Sequence, residues 1–118
     1  MLIIDDDAEY RTGLRAALEK AGCGVLEAEN GQIGIDVCHA MHPSVILLDV
    51  VMPVMNGAEF LRAQQADSRI MYIPVIVIST HDIGIGANVV RQLRKPISTS
   101  NLVSIIRLVV GASRHGVT

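Results

Sequence analysis

Residues 2 to 11 read LIIDDDAEYR, and this stretch is the first indication of the fold. Three apolar residues run directly into three consecutive carboxylates, Asp5, Asp6 and Asp7, and a segment with helical character follows them. An apolar run that stops at charged residues indicates a buried strand that ends at a polar edge. So much negative charge at one strand end needs a chemical explanation.

A short apolar run followed by a helical pattern recurs along the whole chain. The first helical pattern is AEYRTGLRAALEKAG (8–22), where Leu14, Ala17, Leu18 and Ala21 share a face and Gly22 ends the helix. Later segments are GVLEAE with GQIGIDVCHAM, SVILLD with GAEFLRAQQAD, PVIVIS, RQLRK, and finally STSNLVSIIRLVV. This alternation predicts a parallel α/β sheet with helices on both faces.

Composition predicts one domain with an aliphatic core. Of 118 residues, 50% are hydrophobic and only 3% aromatic, which suits buried parallel strands, and we expect the domain to span 1–111 with a polar tail at 112–118. A net charge of -2 gives no pull toward nucleic acid or a membrane surface. With no apolar segment long enough to span a bilayer, a cytoplasmic protein is expected. Cys23 and Cys38 lack metal-ligand spacing and are predicted to be packing residues.

Polar groups follow the predicted strands, at the edge where parallel α/β sheets bind ligands. Carboxylates crowded there would repel each other unless a cation neutralises them, and all-oxygen ligation suits Mg²⁺. Asp49 is the candidate nucleophile, because a carboxylate beside a metal can form an aspartyl phosphate. Ser79 offers a hydroxyl and Lys95 a positive charge. Each group alone also fits a plain structural role, such as a helix cap or a strand end.

In this order the four groups resemble those of a response-regulator receiver domain of two-component signalling, a CheY-like protein. The resemblance is carried by LIIDDDAEYR, VILLDVVMPVMNG, PVIVIST and RKP. It implies a single five-stranded flavodoxin-like sheet of order 2-1-3-4-5. It also implies that Asp5 and Asp6 form a metal-binding pair, with Asp6 the likelier direct ligand, and that Asp49 is the phosphoacceptor.

The resemblance assigns the remaining site residues as well. The backbone carbonyl of Val51 would be the third protein ligand to Mg²⁺, Ser79 the switch hydroxyl, and Lys95 the cation that contacts the phosphoryl group. Pro96 would follow Lys95 in a cis peptide bond, and Asp7 is expected to cap the first helix. The expected donor is a histidine kinase or phosphotransfer protein. The output partner is not identified, and a homodimer stays open.

Two other functions remain open. A pseudo-receiver would act as an interaction module that needs no phosphorylation. A haloacid-dehalogenase-type phosphohydrolase would use a DxDx[TV] motif, which DDDAE imitates in part with Glu9 at the Thr/Val place. In the receiver interpretation the chain is not an enzyme, because it catalyses only its own phosphorylation and dephosphorylation.

The segment STHDIGIGANVVRQLRKP is shorter than the family usually has between the switch hydroxyl and the lysine. Gly84 and Gly86 each disfavour helix by about 1 kcal/mol relative to Ala. The fourth helix is therefore expected to be short, irregular or displaced toward ANVVRQL (87–93). Gln92 stands where the family usually carries an aromatic switch residue. Arg91, Arg94 and Arg107 are expected to form a solvated basic edge, with positive charge on the output face as the alternative. His81 is expected to be an exposed loop residue, with a position over the site as the alternative.

Overall fold

The computed structural model describes residues 1–49, 56–79, 89–94 and 98–116. Within those ranges the first elements are β1 (Leu2–Ile4), α1 (Ala8–Lys20), β2 (Leu26–Ala28), α2 (Gly31–Met41) and β3 (Ile46–Asp49). They are followed by α3 (Gly57–Gln65), β4 (Val75–Ser79), β5 (Val89–Arg94) and α4 (Thr99–Gly116). The part of the chain that the structure describes has no helix long and apolar enough to cross a membrane.

All five strands form one parallel sheet in the order β2-β1-β3-β4-β5. The central strands β1, β3 and β4 are aliphatic, as expected for strands that helices cover on both sides. The predicted fold class and strand order are therefore confirmed.

Alternation of side chains along the strands divides the core into two layers. Leu2 and Ile4 of β1 pack on one face, in a cluster that includes Phe60 of α3 and Cys38 of α2. Ile3 packs on the opposite face, in a cluster that takes in residues of the two remaining helices: Leu14, Leu18, Leu102, Val103 and Ile106. Helices α2 and α3 thus cover one side of the sheet, and α1 and α4 cover the other.

Local capping fixes both ends of α1. Asp7 accepts a hydrogen bond from the backbone N–H of Tyr10 at 3.1 Å, which confirms the predicted cap. At the other end Gly22 has φ 92°, and the amides of Gly22 and Cys23 donate to the carbonyls of Glu19 and Leu18. This pattern is a Schellman motif, which needs a residue in the left-handed region, so the prediction for Gly22 is confirmed.

Two cysteines lie in the packed regions, as predicted. Cys38 is fully buried, and that burial raises the pKa of its thiol to about 11, so the group stays protonated and unreactive at neutral pH. Cys23 is half-buried and packs against the second cluster.

Residues 89–94 form strand β5, so the alternative that displaced the fourth helix toward 87–93 was wrong. Val89 pairs with Val75 and Leu93 with Ile78, and the register shifts by one residue between Val89 and Arg91. Pairing with β4 outweighs the weak helical signal, since two adjacent β-branched valines favour a strand. The connection from Ser79 to Val89 comprises residues 80 to 88, which lie outside the described residues.

Arg107 lies on α4, where its guanidinium donates to the carbonyl of Ala21 at 3.2 Å. A cation at the carboxyl end of a helix satisfies a carbonyl that has no partner within the helix. Arg107 therefore stabilises the end of α1. Helix α4 itself continues to Gly116, past the predicted domain end at residue 111.

Candidate functional site

Three carboxylates meet at the carboxyl edge of the sheet. One oxygen from each of Asp5, Asp6 and Asp49 lies within 4.8 Å of the other two. These residues are far apart in the sequence but follow neighbouring strands, since Asp5 comes directly after β1 and Asp49 ends β3. The sequence-based prediction that these three carboxylates converge matches this geometry.

Sheet register explains the meeting of Asp5 and Asp49. Ile3 pairs with Leu47 and Ile4 with Leu48, so continuing the same register places Asp5 level with Asp49. Side chains two residues apart on a strand point to the same face of the sheet. Asp5 is two residues beyond Ile3 and Asp49 is two residues beyond Leu47, so both aspartates lie on the same face. Asp6 is added from the loop and is exposed.

Asp5 is the most buried member of the cluster, with only 3% of its surface exposed. Its Oδ1 atom accepts a hydrogen bond from the backbone N–H of Asp7 at 2.9 Å. Asp5 and Asp49 also line one small cavity together with Tyr10 and Ile78. The carboxylate of Asp5 is therefore buried and held by a hydrogen bond, whereas that of Asp6 is exposed to solvent.

A polar network behind the cluster was missed by the sequence analysis. Arg11 donates through its Nε atom to Glu27 Oε1 at 3.1 Å, and through its Nη1 atom to the main-chain carbonyl of Asp5 at 2.5 Å. Arg15 donates to the other oxygen of Glu27 at 2.8 Å. These bonds lower the pKa of Glu27, with Arg15 the larger cause and Arg11 the next. The i, i+4 spacing of Arg11 and Arg15 was the available signal, because it puts both on one side of α1.

The structure places the other predicted site residues only in part. Ser79 is the last residue of β4, one position beyond Ile78, which pairs with Asp49. Its backbone is therefore at the same edge of the sheet, while its side chain is outside the described set. Val51, Lys95, Pro96 and His81 also lie outside the described residues.

After Asp49 the sequence runs VVMPVMNG, where Pro53 and Asn56-Gly57 predict a tight turn. The structure describes only the end of this segment. Asn56 caps α3 in a capping box: its side chain accepts from the amide of Glu59 at 2.9 Å, and Glu59 accepts from the amide of Asn56. Gly57 is the first residue of α3 rather than part of a turn. Pro53 lies outside the described residues.

The chemistry of this donor set fits a hard divalent cation. All three side chains offer oxygen, and two oxygens on opposite sides of a Mg²⁺ ion are about 4.2 Å apart, twice the usual bond length. The 4.8 Å limit on the cluster is close to that separation, so one ion can bridge the carboxylates after a small adjustment. Without a cation the carboxylates repel one another.

Comparison with known proteins gives a family for this site. The family model described as the response regulator receiver domain matches residues 1–107. Protein PilH of Pseudomonas aeruginosa is 42% identical over 82 residues, which cover 70% of this chain and 68% of PilH. The phosphate regulon transcriptional regulatory protein PhoB of the same organism is 33% identical over 98% of this chain, which spans about half of PhoB, 53%.

Solved structures agree with the fold. A CheY-like receiver domain protein from Methanospirillum hungatei has a TM-score of 0.86 at 26% identity, covering 97% of this chain and 95% of that chain. Chemotaxis protein CheY4 of Vibrio cholerae has a TM-score of 0.80 at 26% identity, covering 92% and 95%. None of these likenesses points to a haloacid-dehalogenase-type phosphohydrolase.

Proposed function

This chain belongs to the response regulator receiver domain family, and we propose that it is a phosphoacceptor switch with Asp49 as the residue that is phosphorylated. The observation that carries this proposal is the convergence of Asp5, Asp6 and Asp49 within 4.8 Å. The proposed donor is a histidine kinase or a phosphotransfer protein. The proposed receiver unit is residues 1–111, and its output partner differs in affinity for the two phosphorylation states.

In the proposed transfer, a carboxylate oxygen of Asp49 attacks the phosphorus atom of the donor. The new O–P bond forms while the bond from phosphorus to the donor nitrogen breaks, and its electron pair leaves with the imidazole. Later a water molecule attacks the phosphorus, which releases inorganic phosphate and restores the Asp49 carboxylate. The chain therefore acts on its own phosphoryl group and on no separate substrate.

Asp5 and Asp6 would hold Mg²⁺ together with Asp49 and the main-chain carbonyl of Val51. When bound, the ion would offset the negative charge of the transferring phosphoryl group. Ser79 would donate a hydrogen bond to that group and Lys95 would supply a positive charge. Ser79 is the last residue of β4, and Lys95 comes directly after β5 in the sequence. The buried, hydrogen-bonded position of Asp5 supports a role as a fixed ligand rather than a nucleophile.

Acetyl phosphate with Mg²⁺, followed by intact mass measurement, tests the proposal. We expect the unmodified chain to gain one phosphoryl group and Asp49→Asn to gain none, because the amide is not a nucleophile for this step. Asp36→Asn removes an exposed carboxylate on α2 and is the matched control, with labelling expected to be unchanged. Labelling that persists in Asp49→Asn but disappears in Asp5→Asn would refute the assignment.

A pseudo-receiver is the second candidate, and one observation favours it. Only nine residues, 80 to 88, connect β4 to β5, whereas a parallel crossover usually takes a dozen or more. A chain that stays unlabelled with acetyl phosphate and with a histidine-phosphorylated donor would support this alternative.

A further inference from the structure

Arg11 links the acidic site to the edge of the sheet. It lies in α1, its side chain is only 15% exposed, and it bonds at once to the carbonyl of Asp5 and to Glu27. The Asp5 carbonyl belongs to the peptide group that joins Asp5 to Asp6. The orientation of that peptide therefore constrains the backbone from which both carboxylate side chains extend.

Glu27 is itself held from a second side. It lies on β2, which pairs with β1, and its other oxygen accepts from Arg15. Only 25% of the Glu27 side chain is exposed. Arg11 thus donates to a carboxylate whose backbone is fixed in the sheet next to β1.

We infer that Arg11 is a positioning residue of the acidic site, which fixes the Asp5–Asp6 peptide against Glu27 so that the two carboxylates are preset for a shared divalent cation. This inference rests on the proposed metal-binding function. It concerns a residue outside the predicted site that contacts the site through a main-chain atom. A second bond from the amide of Asp7 to Asp5 Oδ1 completes the fixation of the loop.

Arginine suits this role better than lysine. Its planar guanidinium donates in two directions from a rigid frame, so one side chain can hold a carbonyl and a carboxylate together. An ammonium group on a flexible stem can replace one of these bonds at most in the same geometry. Arg11→Lys is therefore expected to lie between the unmodified chain and Arg11→Ala.

Charge and positioning make opposite predictions for Arg11→Ala. Loss of a positive charge near the carboxylates would strengthen cation binding by simple electrostatics. Loss of positioning would weaken it, and partners outside the ligand shell typically change metal affinity by about 10- to 100-fold. We expect about tenfold weaker Mg²⁺ binding in Arg11→Ala.

The experiment is a Mg²⁺ titration of the full chain by calorimetry, with thermal unfolding measured in parallel. Arg15→Ala is the matched control, because it removes the same charge and the described bonds of Arg15 go to Glu27 and Glu19. Its Mg²⁺ affinity should be unchanged or slightly higher. Asp6→Ala is the positive control and should weaken binding directly.

Hydrogen exchange at the Asp7 amide, measured without metal, should speed up in Arg11→Ala and not in Arg15→Ala.

These readouts separate the inference from the proposed function. If the unmodified chain and Asp6→Ala bind Mg²⁺ equally, the proposed metal site is wrong, and the exchange at Asp7 still tests Arg11. If Arg11→Ala binds Mg²⁺ as tightly as Arg15→Ala, and their Asp7 amides exchange at the same rate, the inference is overturned. Equal loss of affinity in both arginine variants would also overturn it, since a general loss of stability would then be the cause.

Discussion

Glu27 and Asp67 are carboxylates that hydrogen-bond donors and nearby cations hold in the charged form. The pKa of Asp67 is lowered, first by the backbone N–H of Arg69 and then by its side chain, with His39 also contributing. The pKa of Glu27 is lowered by Arg15 and then by Arg11. Such groups stabilise the fold only while they are ionised.

We predict that Glu27→Gln lowers stability at neutral pH and has little effect in acid. The folded-state pKa of Glu27 is lowered from its ordinary value of 4.5, so the charged carboxylate stabilises the fold at pH values above 4.5. This stabilisation is lost as the pH falls through the folded-state pKa. The side chain is partly exposed, so the difference in unfolding free energy at pH 7 should be below about 1 kcal/mol. Denaturant unfolding of Glu27→Gln and the unmodified chain, at pH 7 and in acid, measures this difference in unfolding free energy.

The control for this prediction is Glu19→Gln. Glu19 also bonds to Arg15, at 3.3 Å, but its side chain is 50% exposed. Its effect should be small at every pH. A stability difference for Glu27→Gln that stays constant from pH 7 into acid would show that charge is not the cause.

At the level of elements, the glycines of α1 and α2 have opposite roles. Gly34 of α2 is buried, and a Cβ atom there would lie 2.5 Å from Ile4 Cδ1 and 3.3 Å from Phe60 Cε2. A Cβ atom at Gly13 of α1 would meet nothing within 4 Å. Gly34 therefore allows α2 to pack closely on β1 and α3, whereas Gly13 only weakens its helix.

We predict that Gly34→Ala destabilises the protein by about 1 to 2 kcal/mol, because overpacking of the Ile4 side chain exceeds the gain in helix propensity. Gly13→Ala should stabilise it by up to about 1 kcal/mol, since alanine is the better helix former at an open site. Denaturant midpoints of both variants decide the matter. If Gly34→Ala were as stabilising as Gly13→Ala, the close approach of α2 would not constrain the fold.

For the molecule as a whole, the question is how far the proposed phosphorylation of Asp49 would change residues away from the site. A phosphoryl group shifts an equilibrium only through contacts that differ between the two states. Gln92 occupies the position where the family usually has an aromatic residue, and it lies half-buried in β5. A strand held to β4 along five residue pairs has little freedom to rearrange.

We predict that a beryllofluoride mimic protects the loops after β3 and β4 and changes β5 only weakly. The site residues can still make new contacts there, while Gln92 lacks the large ring that would couple the site to the output face. Amide hydrogen exchange with and without the mimic tests this. Asp49→Asn is the control and should show no response. Protection of residues 89 to 94 that equals protection at the site loops would contradict the prediction.

Many features of this fold could be predicted from the sequence, because they depend on local chemistry. Apolar runs, helical periodicity, the Asp7 cap and the Gly22 end depend on residues that are near one another in the chain, so they could be predicted with the order of the elements. The carboxylates could be placed at strand ends for the same reason, and the resemblance to a known family supplied the order of the strands.

Tertiary structure alone decided the contacts between distant segments. The pairing that makes residues 89–94 a strand, the bond from Arg107 to Ala21, the close approach at Gly34 and the bridge from Arg11 to Asp5 and Glu27 all depend on it. Packing fixes the distance and angle between elements, and each of these contacts depends on that geometry. A side chain can form a hydrogen bond only where the folded backbone brings a partner atom within about 3 Å. A local pattern, such as the i, i+4 spacing of Arg11 and Arg15, shows which side of an element a residue lies on but not which distant partner it contacts.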